Sequence, residues 1–275
     1  MKTTSKVSIA LVALLLFFNL SIIAQEDDAP KRPMYVAITT MHWNMDNNDF
    51  DNDDWIATEK EYKDKVTSKN EFIMSSGYYT HRYTPDNTEL MYVQTYASWE
   101  DIDKAADRNS ELEKQAWPDE SAGKTFFEKQ ANFYANHHSD EIYITMAGGK
   151  SAGKMDKDVI VYMQKRHFAF PKDGSNKEFD AGRMEYTENV IQKNEVIKGY
   201  YPMAHAYGAD KTEFIEVFVL ESLDDLDNMA ERNNELYMAH WSDEAKRKED
   251  GKKMGKYFTG VHGDYIYTSV HELNY

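Results

Sequence analysis

The chain has no cysteine, which excludes disulfides, thiolate metal sites, a cysteine nucleophile and a lipid-anchored N-terminal cysteine. Cations are also short: 32 Lys+Arg stand against 48 Asp+Glu, a formal net charge of −16. Nucleic acid and anionic membrane surfaces both require a cationic face, so neither is an expected partner. Proline and glycine are scarce, at 6 and 13 of 275 residues, and the chain does not read as low-complexity. No GxGxxG, P-loop, GxSxG or HExxH pattern occurs. Dinucleotide, phosphate-cradle, serine-hydrolase and zinc-protease readings therefore have no sequence support.

Against these absences, 41% of residues are hydrophobic and 13% aromatic, enough for a real core. One long apolar run stands out, Val7 to Leu20, preceded by Lys2 and Lys6 and followed by Ile23-Ala24. It reads as an export signal, residues 1 to 24, cleaved near Ala24 and Gln25. The run is shorter than the roughly 20 apolar residues a membrane span needs. Its removal takes two lysines and no acids, leaving 30 − 48 = −18. The expectation is an acidic protein exported to the periplasm or the medium, with no membrane contact after cleavage.

A shift of 124 positions lays residues 49 to 146 on residues 173 to 270 without a gap, and about a third of the pairs are identical. The clearest blocks are residues 69 to 71 against 193 to 195 and residues 98 to 112 against 222 to 236. A shift of 125 aligns the stretch from Met34 with that from Val159. Two copies of one domain follow: repeat 1 over residues 34 to 146 and repeat 2 over 158 to 275. Residues 147 to 157 between them hold three glycines and read as a flexible linker.

Each repeat carries the same periodicity. Met34 to Met45 reads as a first strand, and Trp55, Tyr62 and Val66, at i, i+7 and i+11, mark one face of a helix. Ser76 to Tyr83 and Glu89 to Ala97 form a hairpin around TPDNT. Ser98 with Asp101, and Ser222 with Asp225, predict capping boxes for the following helix, whose stripe is Ile102, Ala105, Asn109 and Leu112. A helical stretch near Ser121 to Tyr134 precedes a last strand, Glu141 to Met146. The order βαββα(α)β is that of a ferredoxin-like split βαβ unit, so the fold class is α+β.

With its duplication, this order resembles the dimeric α/β-barrel superfamily, in which two ferredoxin-like units pack sheet to sheet; here both lie in one chain. The resemblance spans nearly the whole mature sequence and rests on element order alone, without a signature motif. It implies a fold that serves small monooxygenases, isomerases, cyclases and heme enzymes, and it selects none of them.

The topology places the ends of the first two strands beside the starts of the third and fourth. On that edge fall His42, His81, Tyr83, Glu89, His138 and Asp140, matched in repeat 2 by His167, His205, Tyr207, Glu213, His262 and Asp264. These include six of the nine histidines. One reading is that strand-end histidines simply bond to loops. The other is a polar site in which His81, Tyr83 and Glu89, or His205, Tyr207 and Glu213, act as acid/base groups at a carbonyl or enol. His42 with His138 and Asp140 offers two imidazoles and a carboxylate, a weaker metal reading. No metal or other cofactor is assigned, with heme and a divalent ion left open.

The acidic run at residues 46 to 54 lacks the glycine and terminal glutamate of a calcium loop and reads as a helix N-terminus. Arg108 and Arg232 read as surface ion pairs with the glutamates three residues on. Trp117 and Trp241 read as core anchors or pocket walls. Repeat 1 differs at its pole by Arg82, Tyr92 and Gln94, which with His42 and His138 form the candidate ligand-binding set, and the expectation favours repeat 1 as the functional half. Three functions remain: a binding module for a small apolar or aromatic ligand between sheet and helices, a cofactor-independent isomerase, cyclase or monooxygenase, and a structural or interaction protein. The expected state is a monomer with internal pseudo-twofold symmetry.

Overall fold

In the computed structural model, repeat 1 runs β1 (Tyr35–His42), α1 (Asn52–Lys65), β2 (Ser75–Tyr83), β3 (Glu89–Tyr96), α2 (Trp99–Ala116), α3 (Glu120–Ala131) and β4 (Ser139–Thr145). Repeat 2 runs β5 (Ile160–Phe168), α4 (Asn176–Tyr186), β6 (Gly199–Tyr207), β7 (Glu213–Leu220), α5 (Asp225–His240), α6 (Glu244–Gly255) and β8 (Phe258–Ser269). The structure describes residues 32 to 275, so the segment read as an export signal lies outside the described residues.

Local chemistry starts most helices where the sequence marks them. The Asp51 carboxylate accepts the Asp54 amide, and Asp53 and Asp54 sit in the first turn of α1, so the acidic run serves as an N-terminus that favours negative charge. Ser98 caps α2 through the Asp101 amide as expected. Its counterpart keeps half of the box: the Asp225 carboxylate accepts both the Ser222 amide and hydroxyl at 3.0 Å, while α5 begins only at Asp225. A turn closed by the Asp225 amide on the Ser222 carbonyl occupies the position a cap would need.

The strands form one closed barrel in the order β1-β3-β2-β8-β5-β7-β6-β4. Every neighbouring pair is antiparallel. Each repeat keeps the ferredoxin-like order, with β1 between β3 and β4 and β5 between β7 and β8. The seams between repeats are β2 on β8 and β4 on β6. Tyr83 lies opposite Ile266 at one seam and Tyr207 opposite Ile142 at the other. Both histidine-bearing poles therefore open at the same end of the barrel, and the pseudo-twofold axis runs along it. Closure within one chain leaves no unpaired sheet edge.

Strand alternation sorts side chains into two layers. Val36, Ile38, Met91, Met163 and Ile215 point into the barrel. Leu90 and Tyr96 in repeat 1, and Ile160, Phe218 and Leu220 in repeat 2, face the helices. Trp55 on α1 is fully buried with Leu90 and Phe133, where truncation to alanine costs about 3–5 kcal/mol. Asn70 bonds Asn109, and Asn194 bonds Asn233, tying each repeat's helices together identically.

The first part of the segment read as a linker is bonded to repeat 2. Lys150 exchanges two backbone hydrogen bonds with Tyr200, and the Ala147 carbonyl accepts from Arg183. Gly148 has φ +86, and a Cβ there would lie 2.8 Å from Thr187. Its glycine is required by backbone conformation and by close packing together.

Candidate functional site

The shared pole does not assemble as the sequence suggests. Glu89 lies across from His42 on the neighbouring strand, but accepts the Tyr267 hydroxyl at 2.6 Å. His81 Nδ1 bonds the Thr84 hydroxyl at 2.8 Å, and the register shifts between His81 and Tyr83. That bulge breaks the alternation which would have aligned the two side chains. Tyr83 is 59% exposed with Arg82 beside its ring, and Tyr207 is 72% exposed. His205 stands half-buried on β6.

His42 turns to Asp86 at 3.3 Å and stacks on His137, while His138 pairs with Asp140 at 3.2 Å. Repeat 2 places His167 against Asp210 and Thr212 in the matched hairpin loop. Strand-end histidines thus hold hairpin loops in both halves. Among the described residues no three His, Asp or Glu side chains gather as metal ligands.

Tyr92 and Gln94 lie on the helix-facing layer and not at the pole. Tyr92 stacks on Tyr78 at 4.6 Å, and burial pushes its phenol up to about 12. Gln94 accepts the Tyr96 hydroxyl. Arg108 and Arg232 each clamp two glutamates, Glu71 with Glu111 and Glu195 with Glu235.

Repeat 2 holds a sizeable, partly open cavity. A cavity of about 1180 Å³ lies between its sheet and α4, α5 and α6, walled by Phe179, Phe214, Phe218, Tyr186, Met229 and Trp241. Repeat 1 carries a cluster of aromatic rings at some of the matched positions. Phe126 stacks on Trp117 at 4.2 Å with Phe127 at 5.3 Å, whereas α6 carries Asp250 and Gly251 at those places and Trp241 faces the cavity. Tyr78, Tyr92, Trp55 and Thr58 become Pro202, Glu216, Phe179 and Gly182. Larger residues at Phe214, Phe218 and Met229 take back part of that volume. The expectation that repeat 1 is the functional half meets this difference: the cavity between sheet and helices described here lies in repeat 2.

Polar groups concentrate at one side of the cavity. Arg166 lies 3.7 Å from Glu216, which accepts the Tyr200 hydroxyl at 2.6 Å. At the rim Asp264 accepts Tyr162 at 2.6 Å and Gln164 at 3.1 Å, with His262 Nε2 at 3.4 Å. Burial raises the Asp264 carboxyl, but the bonds from Tyr162 and Gln164 outweigh it and hold the group below the usual aspartate range. Burial and the Asp264 bond both push the Tyr162 phenol up.

Sequence reasoning missed this constellation as a set, although His262 and Asp264 were on the matched pole. The readable signal was the loss of paired aromatics from repeat 2, at Asp250 and Gly251 above all.

No protein-family model and no curated protein matches the sequence. Solved structures match in fold. A monooxygenase-like protein of Fusobacterium nucleatum superposes with a TM-score of 0.54 at 12% identity, over 88% of this chain and 94% of that one. A variant of chlorite dismutase from Candidatus Nitrospira defluvii gives 0.51 at 13% identity, over 87% and 93%. These neighbours have the dimeric α/β-barrel fold, and so does this chain, with both ferredoxin-like units in one polypeptide.

Heme was left open by the sequence, and what it needs can be compared with the lining of the cavity. Its one imidazole, His262, is at the rim, half exposed and turned to Asp264. The buried walls offer phenols and thioethers but no histidine or cysteine. These residues do not fit a histidine-ligated heme.

Proposed function

Taking the tandem dimeric α/β-barrel as the frame, we propose that this is an exported protein whose second repeat binds a small, largely aromatic or apolar ligand between sheet and helices. The observation that carries the reading is the asymmetry between the repeats. Aromatic side chains that pair in repeat 1 are missing from the matched positions of repeat 2, where a partly open cavity combines aromatic walls with convergent polar groups, a common form of a small-molecule site.

The same cavity also supports an enzyme reading. His262, Asp264 and Tyr162 form an imidazole-carboxylate-phenol chain at the rim, a group set suited to moving a proton at a bound carbonyl or enol. The fold is shared with a monooxygenase-like protein, and this agrees with such chemistry without selecting a substrate.

The test uses phenylnaphthylamine, a neutral aromatic probe whose fluorescence rises in apolar sites. The wild-type protein is expected to bind it. Gly251→Phe restores the residue of repeat 1, and a Cβ at Gly251 meets nothing within 4 Å. This variant should lose the probe while keeping its melting temperature. Binding that survives both Gly251→Phe and Asp250→Phe would place the probe elsewhere and overturn the assignment. In the enzyme reading, His262→Gln removes turnover of a substrate and leaves probe binding intact.

A further inference from the structure

Two buried hydrogen-bond donors lining the repeat 2 cavity have no partner. Arg183 on α4 is only 7% exposed; one Nη donates to the Ala147 carbonyl at 2.8 Å and the other lies 3.6 Å from the Met184 sulfur, and Nε bonds nothing. Among the described residues no carboxylate forms an ion pair with it. Trp241, 6% exposed, has its Nε1 equally unpartnered. Guanidinium and indole N–H groups only donate, so what both lack is an acceptor.

The matched position in repeat 1 shows how this fold treats a buried charge when nothing is to be bound. There Glu59, 1% exposed, accepts Tyr78 at 2.8 Å, Tyr134 at 2.6 Å and Gln130 at 3.0 Å. Arg183 has replaced that glutamate without acquiring equivalent partners, although a buried unpaired cation is among the most costly features a fold can keep. The other charges of the cavity do not serve it. Glu216 is engaged by Tyr200 and Arg166, Glu178 by Tyr257 and Lys256, Glu185 by His240, and Asp250 Oδ2, which has no hydrogen bond, lies 3.6 Å from Lys246.

Resting on the ligand cavity proposed above, we infer that its ligand is an aromatic or apolar acid, whose oxyanion is received by Arg183 and which offers a further oxygen acceptor to Trp241. A guanidinium fork matches a carboxylate or sulfonate geometrically, and Arg183, itself only 7% exposed, offers its donors where water screens them little. Arg183 is thereby a specificity residue, selecting anionic over neutral members of one ring class.

Two probes with the same ring system separate this from the cavity reading itself: anilinonaphthalene sulfonate, which carries the oxyanion, and phenylnaphthylamine, which does not. The wild-type protein is expected to bind the sulfonate more tightly. Arg183→Met, which keeps the length and apolar volume, should weaken the sulfonate about tenfold or more and leave the neutral probe within twofold. Sulfonate affinity unchanged in Arg183→Met, with the neutral probe still bound, would overturn the inference and spare the cavity. Failure of wild-type protein to bind either probe would sink the cavity reading and this one with it. Should Arg183→Met not fold, the wild-type preference decides: a sulfonate bound no better than its neutral analogue refutes the role of Arg183.

Discussion

The Tyr143 hydroxyl, on the last strand of repeat 1, donates to Glu213 Oε2 of repeat 2 at 2.5 Å. Its symmetry mate, Tyr267 of repeat 2, donates to Glu89 of repeat 1 at 2.6 Å. Two phenols buried in the barrel thus lock the halves reciprocally. The mates differ in company: Tyr143 also lies 2.6 Å from Glu141, and Lys165 sits within 3.7 Å of Glu141 and 3.5 Å of Glu213.

Removing either hydroxyl leaves a carboxylate without its donor inside the barrel. Tyr143→Phe is expected to cost about 1–3 kcal/mol in chemical denaturation, and Tyr267→Phe less, because Glu213 and Glu141 both lose a partner in the first case. Equal costs would show that the extra carboxylate and Lys165 add nothing.

Glu59 gives a pH signature. Burial raises its carboxyl above the ordinary value of 4.5, and the bonds from Tyr134, Tyr78 and Gln130 offset only part of that rise. A carboxyl with a raised folded pKa binds its proton better when folded, so its contribution is full below 4.5 and is lost as pH climbs through the folded value. Denaturation of wild-type and Glu59→Gln protein at a series of pH values above 4 should show the difference shifting in favour of the variant as pH rises. A constant difference would refute the raised carboxyl.

At alkaline pH the buried phenols act in the same direction. Tyr79, Tyr92 and Tyr186 are each pushed by burial from 10 up to about 12. Their stabilising contribution is complete below 10 and disappears as pH rises towards 12, at about 1.4 kcal/mol per pH unit for each phenol. Tyr79→Phe should shallow that loss measurably in thermal melts between those limits; an unchanged slope would show that Tyr79 ionises normally.

Because both seams of the barrel are closed by strands of one chain, no sheet edge is left for a second copy. Light scattering at micromolar concentration is expected to return the mass of a monomer. A stable dimer would require a contact on the helical surface instead.

The duplication and the βαββααβ order were legible in the sequence, because hydrophobic period depends on side-chain alternation that neighbours along the chain display. The matched pole of His42, Glu89, His167 and Glu213 was legible for the same reason. Side-chain partnership was not. Glu89 meets Tyr267 from the far end of the chain, 178 residues away, and a bulge after His81 undoes the alignment that spacing implied. Whether a pair of helices presses down on its sheet or stands off it depends on volumes summed over many positions. Phe126 and Phe127 against Asp250 and Gly251 were visible side by side in the repeats, yet only the tertiary structure shows a cavity beside that exchange, with Arg183 Nε and Trp241 Nε1 left without hydrogen-bond partners among the described residues.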